Sequence, residues 1–234
     1  MKCASNRFRA LISVHQMYKR AAQRLKLIPR VSEMFGRRFA DLLLFCVTST
    51  ELVILVLMTP TFTIADWIYV LNHLIVLGIA LTRRHPKVWD YSIASSMAVG
   101  AAYVYPYAQV ISLRWSPGHV AWPAAGLALV TLGAGLSLIS LLALGRLFGV
   151  RPALRGLVTS GPYRFVRHPL YLAYVLADIG YNLQEWNFVT LLLVLGGWAS
   201  LVYRIHAEER ILSQHAEWPA YVALVRYRLV PGLW

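Results

Sequence analysis

Charge is what this chain of 234 residues has little of: Asp, Glu, Lys and Arg together make up 14% of it, against roughly 25% in an average soluble domain. Hydrophobic residues make up 58%, a balance that excludes an ordinary soluble domain and indicates a membrane protein. Cysteine is nearly missing. Cys3 stands in a basic tail and Cys46 in an apolar run, which leaves no disulfide framework and no C-x-x-C metal or redox signature. Histidines are scattered. His206 and Glu209 share a helical face, but no second such pair exists to complete a carboxylate metal site in a bundle, so no bound metal is expected. A dinucleotide loop is absent too: "TLGAGLSL" at 131–138 lies inside an apolar run and lacks the third glycine, and reads as small residues easing helix packing. No repeat of 20–50 residues is visible, which excludes a solenoid.

Six windows are apolar enough to cross about 30 Å of hydrocarbon: residues 40–59, 66–82, 88–112, 120–145, 169–184 and 187–205. The fifth is short and is joined to the sixth by "QEWN", so these two are expected to form a tight helical hairpin. Between the windows the basic residues are strongly one-sided. Of the 23 Lys and Arg, only Arg114 falls on one side, while the tail 1–38, the loop "TRRHPK", residues 146–167 and the stretch from Arg204 onward hold the rest. The positive-inside rule puts both termini and the 146–167 loop in the cytoplasm, at the inner or plasma membrane if the source is bacterial. The same asymmetry accounts for the net charge of +13 without a nucleic-acid partner, and no obligate protein partner is evident. Residues 1–38 read as a separate unit, with Leu11, Val14, Tyr18, Ala22, Leu25 and Ile28 at helical spacing among Lys and Arg. A basic amphipathic surface helix, a transit-like extension and a true start at Met34 all fit.

Two acids, Glu51 and Asp178, fall within spans, where charge is costly and either holds a neighbouring helix or serves function. A denser cluster lies at the basic end. "SGPYRFVRHPLYLAYVL" at 160–176 opens the fifth span, and "YRIHAEERIL" closes the sixth. A step of four residues puts Arg204 and Glu208 on one helix face. Because the two segments flank one hairpin, Arg167, His168 and Tyr171 are expected to face Arg204, Glu208 and Glu209.

These residues, "GPYRFVRHPLY", "IGYNLQEWN", "RIHAEER" and the terminal "YRLVPGLW", resemble the isoprenylcysteine carboxyl methyltransferase family and its phospholipid methyltransferase relatives. The resemblance covers residues 155–234. It implies S-adenosylmethionine as cofactor, with Gly161, Pro162 and Tyr163 shaping the cofactor loop and Arg167, His168, Tyr171, Asn187, Glu208 and Glu209 helping to bind it. Arg204 takes the position near the substrate, and with Glu208 forms the implied catalytic pair. The acceptor class stays open among a prenylcysteine-type carboxylate, a phospholipid amine and a phenol, and a sterol-type NADPH reductase is the competing reading. A carboxylate needs only orientation by Arg204, whereas an amine or phenol must lose a proton, for which Glu208 is placed. Two departures from the family's pattern stand at the C-terminal end: a phenylalanine-glycine pair is missing, and Leu224 occupies a position where a second tyrosine is usual. The expected fold is therefore all-α, a polytopic membrane bundle of about six transmembrane helices with a cytoplasmic C-terminal cofactor-binding segment. Its divisions are 1–38, 39–150 (spans one to four) and 151–234 (the methyltransferase core), and its partner is a lipophilic or prenylated acceptor.

Overall fold

The structure is a computed structural model that describes residues 31–58, 62–86, 88–90, 92–115 and 118–234, the side chains of 31–40, 58, 110 and 114 excepted. Each apolar window forms a helix: α1 (Val31–Met58), α2 (Ile64–Thr82), α3 (Ile93–Trp115), α4 (Pro123–Leu144), α5 (Pro169–Gln184) and α6 (Phe188–Leu212), followed by the short α7 (Trp218–Leu224). Met1–Asp41 and Leu42–Trp234 are separate compact units. The readings of the N-terminal tail as a surface helix or extension fall largely on residues outside the described ones.

Three helical stretches among the described residues, Ile64–Thr82, Pro123–Leu147 and Phe188–Leu212, are long and apolar enough to cross a membrane. Helix α5 has 16 residues, about 24 Å at 1.5 Å per residue, which is short for a span, and the apolar run of α3 is diluted by serines, tyrosines and Gln109. The helices begin where their caps dictate. Thr63 and Asp66 form a capping box on α2, Pro123 and Pro169 open α4 and α5 at the first turn, and Asn187 and Thr190 form a capping box on α6. Each box satisfies amides that the first turn leaves without partners.

The fifth and sixth helices are joined by only three residues, yet each packs chiefly against another helix: α5 nests on α4, and α6 lies on α3. For α4 and α5 the reason is close backbone approach. A Cβ built on Gly126 would stand 2.5 Å from the Gly180 carbonyl oxygen, one on Gly180 2.7 Å from Gly126 O, and one on Gly133 2.8 Å from Ala173 O. The "GAGL" stretch thus acts through Gly133 as a packing surface, in keeping with its reading as small residues. Replacing Gly126 by valine is expected to lower the thermal midpoint in detergent through overpacking worth about 1–3 kcal/mol, read by circular dichroism, whereas alanine at Gly135, where a Cβ meets nothing within 4 Å, leaves it unchanged.

The ends of the helices sort the loops. At one end a two-stranded antiparallel ladder, β1 (Val88–Trp89) with β2 (Ala153–Leu154), adds a strand pair that an all-α reading omits. Arg84 N donates to Arg146 O and Arg151 Nη1 to Asp90 O, so the two basic loops after α2 and α4 are stitched together. The C-terminal stretch joins the 146–168 loop through Arg167 N to Tyr227 O and His168 N to Arg228 O, both 2.9 Å. At the other end the turn before α4 meets the α5–α6 connection, where His119 pairs with Trp186 and Gly118 N donates to Glu185.

Candidate active site

The basic end of the bundle holds the site, and local sequence explains how each part is held. Gly161 adopts φ +60°, a left-handed conformation that favours glycine, and Pro162 follows it in a single 3₁₀ turn, Gly161–Arg164. That turn carries the Tyr163 side chain inward, where it is buried. Tyr221 of α7 locks the turn by donating its hydroxyl to Tyr163 O at 2.7 Å. Burial holds the Tyr163 and Tyr221 phenols above the usual range, so both are neutral and offer a ring and a hydroxyl rather than a base. His168 precedes Pro169 at the head of α5 and accepts Tyr171 N at its carbonyl.

From there the polar side chains converge as the flanking argument requires. The Tyr171 hydroxyl donates to Glu208 Oε1 at 2.6 Å. The His168 ring stands between two carboxylates, with Nδ1 3.7 Å from Glu208 Oε2 and Nε2 3.3 Å from Glu209 Oε1, and it stacks on the Tyr171 ring. Arg167 Nε lies 2.9 Å from Glu209 Oε1, an ion-pair contact that lacks the alignment of a hydrogen bond. Arg228 Nε and Nη2 both reach Glu209 Oε2 at 2.9 Å. Glu209 is therefore a clasp that ties the head of α5, the end of α6 and the C-terminal stretch to one carboxylate.

Arg204 is set apart from that clasp. It is buried, its guanidinium lies 5.0 Å over the Tyr171 ring, and Nη2 donates to Val150 O at 3.0 Å. Its Nε has no hydrogen-bond partner, and among the described residues no carboxylate stands within ion-pair distance of it.

A cavity of about 650 Å³ runs from this cluster into the bundle, lined at the basic end by Tyr163, Arg167, His168, Tyr171, Arg204 and Glu208. That volume suits a small-molecule site. The expected residues divide by position. Tyr163, Arg167, His168, Tyr171, Arg204 and Glu208 line the cavity, whereas Gly161, Pro162 and Glu209 stand behind that wall and shape it. Asn187 does not join them: it caps α6 by accepting Thr190 N at 2.8 Å and bonds to Ser112. At 1.5 Å per residue it lies roughly 25 Å along α6 from Arg204. Asn187→Ala is accordingly expected to cost about 0.5–2 kcal/mol in unfolding experiments, as a lost cap does, with S-adenosylmethionine affinity by calorimetry unchanged.

Several cavity residues escaped the sequence reading. Trp218, Tyr221 and Tyr174 line the wall, and Arg228 completes the clasp. Tyr221 sits in the stretch where the family pattern fails, and a tyrosine on a short helix opened by Pro219 gives no local signal of the turn it reaches. Leu224, the residue standing for the usual tyrosine, is 84% exposed and outside the cavity lining. The intramembrane acids also have structural partners. Asp178 accepts from the Tyr105 hydroxyl at 2.9 Å and from Trp198 Nε1 at 3.0 Å, and Glu51 Oε2 lies 3.5 Å from His73 Nε2.

A search of curated proteins finds no match to the chain. Residues 125–214, which contain the loop of Gly161 and the α6 residues Arg204, Glu208 and Glu209, match the Isoprenylcysteine carboxyl methyltransferase (ICMT) family.

Proposed function

We propose that the chain is an integral membrane methyltransferase that moves a methyl group from S-adenosylmethionine to a lipophilic acceptor, and that the acceptor is a carboxylate of the isoprenylcysteine type. The family match supports methyl transfer in a membrane, and the gathering of the basic loops at one end supports a six-span arrangement with the site and both termini on the cytoplasmic side.

The observation that carries the acceptor class is Arg204. A buried guanidinium with no carboxylate opposite it and an unmet Nε is expensive to maintain. An incoming carboxylate relieves that cost, arrives already ionised, and needs no base. An amine or phenol would instead bring a donor toward a cation.

The other residues fit the proposed cofactor group by group. Arg167 and His168 suit its carboxylate, Glu208 suits its ammonium or ribose hydroxyls, and the Tyr163, Tyr171 and Trp218 rings offer faces to adenine or to a cation. When bound, S-adenosylmethionine supplies an electrophilic methyl on a sulfonium. For this chemistry the chain's task is alignment in a dry site rather than acid catalysis. Tyr171 links the two halves of that task, since its hydroxyl holds Glu208 while its ring supports Arg204.

Calorimetry on the purified protein in detergent tests the reading: S-adenosylmethionine binds and NADPH does not, and His168→Ala or Glu208→Ala weakens binding at least tenfold. Binding of NADPH alone, or wild-type affinity in both variants, contradicts it.

A further inference from the structure

The cavity does not end in hydrocarbon. Beyond the Tyr171 and Arg204 end its wall includes Glu51 of α1, Asn72 and His73 of α2, Tyr105 of α3 and Asp178 of α5. Asp178 lies seven residues beyond Tyr171 on α5, about 10 Å deeper at 1.5 Å per residue. Asn72 lies between those two levels, since its Nδ2 donates to Ala134 O at 3.2 Å and the neighbouring Gly133 faces Ala173 and Ala177 of α5.

The hydrogen-bond inventory of this inner end is lopsided. Asp178 is satisfied by Tyr105 and Trp198. His73 Nδ1 lies 2.7 Å from Tyr69 O; a carbonyl only accepts, so Nδ1 carries a proton, and Nε2 lies 3.5 Å from Glu51 Oε2. What remains are acceptors. Asn72 is buried, both its donors' contacts run to backbone carbonyls, and its Oδ1 has no partner. Among the described residues Glu51 Oε1 likewise has no hydrogen-bond partner. The buried Asn72 Oδ1 on the cavity wall leaves a desolvation cost that a donor would remove, and the partly exposed Glu51 carboxylate is a further acceptor on the same wall.

We infer that this inner end is a second recognition site for the acceptor molecule, which carries a hydrogen-bond donor, a hydroxyl or an amide N–H, no more than about 10 Å from the carboxylate held at Arg204. The inference rests on the proposed methyl transfer to a carboxylate and narrows it: the acceptor is a bipolar amphiphile rather than a plain hydrocarbon acid. Such a site discriminates sharply, because a ligand lacking the donor leaves the buried Asn72 Oδ1 unpaired.

Two probes test it with the full chain in detergent micelles: a ten-carbon fatty acid bearing a terminal hydroxyl, and the same acid without it, with affinities corrected for partition into the micelle. The wild type is expected to favour the hydroxylated acid at least tenfold, about 1.4 kcal/mol. Asn72→Leu abolishes that preference, and Glu51→Ala reduces it as an independent check should Asn72→Leu fail to fold by circular dichroism. Equal affinity for the two acids in the wild type overturns the inference, and so does a preference that survives in both folded variants. S-adenosylmethionine binding, measured on the same samples, separates the two failures: if it persists, the methyltransferase reading stands without the inner site, and if it is absent that reading fails as well.

Discussion

Arg204→Met lowers kcat/KM for a lipophilic carboxylate acceptor by about a thousandfold, while the affinity for S-adenosylmethionine changes less than threefold. The magnitude follows from the setting. Truncating one partner of a buried charge pair costs about 2–5 kcal/mol, and the guanidinium here is buried and supported by the Tyr171 ring and by Val150 O. Methionine keeps the volume and removes only the charge and the donors. Arg204→Lys separates charge from geometry: an ammonium retains attraction but loses the planar fork that meets a carboxylate at two points, so an intermediate loss of roughly tenfold to a hundredfold is expected. Steady-state kinetics with acceptor and cofactor varied separately reads both numbers. A loss confined to the cofactor KM would move Arg204 to the other half of the site.

The second large effect is expected at Glu209, for a different reason. Its carboxylate meets Arg167, His168 and Arg228, and it stands behind the cavity wall rather than on it. Removing it in Glu209→Ala leaves the buried Arg167 without its counter-ion, a change of the kind that costs about 3–5 kcal/mol. We expect S-adenosylmethionine affinity to fall about a hundredfold together with faster hydrogen exchange across residues 225–234, which hang on the clasp through Arg228 and through the backbone bonds to Arg167 and His168. Arg228→Met is expected to reproduce the exchange effect with a smaller affinity loss, near tenfold, since Arg167 and His168 stay paired. Were Glu209 a direct cofactor ligand, affinity would fall with the exchange of the C-terminal stretch unchanged.

Much of this arrangement was legible in the residues themselves. The helices follow from runs of apolar side chains bounded by caps and prolines, a signal each segment carries alone. The meeting of "RHPLY" with "RIHAEER" was also readable, because two polar segments flanking one short hairpin have few other places to go. What escaped has a common cause. The preference of α5 for α4 depends on glycines, Gly126, Gly133 and Gly180, whose worth appears only when two backbones touch. Arg228 read as one more topology charge because its partner lies on a helix nineteen residues earlier. Asn187 entered the site only through a motif, and a capping box at the far end of α6 accounts for it instead. The polar inner end of the cavity draws one or two residues from each of four helices, so no stretch of the chain announces it, and Glu51 and Asp178 gave only the general warning that buried charge has a purpose.

The central claim is methyl transfer to a carboxylate at the Arg204 end of the cavity. Membranes containing the protein, incubated with S-adenosylmethionine labelled with tritium in its methyl group, test it most directly. Label is expected in the lipid extract that mild base releases as volatile methanol, the mark of a methyl ester, and is expected to be lost in membranes carrying Arg204→Met. Label that stays with the lipid after base treatment, as an amine or an ether would keep it, or no label above membranes lacking the protein, would contradict it.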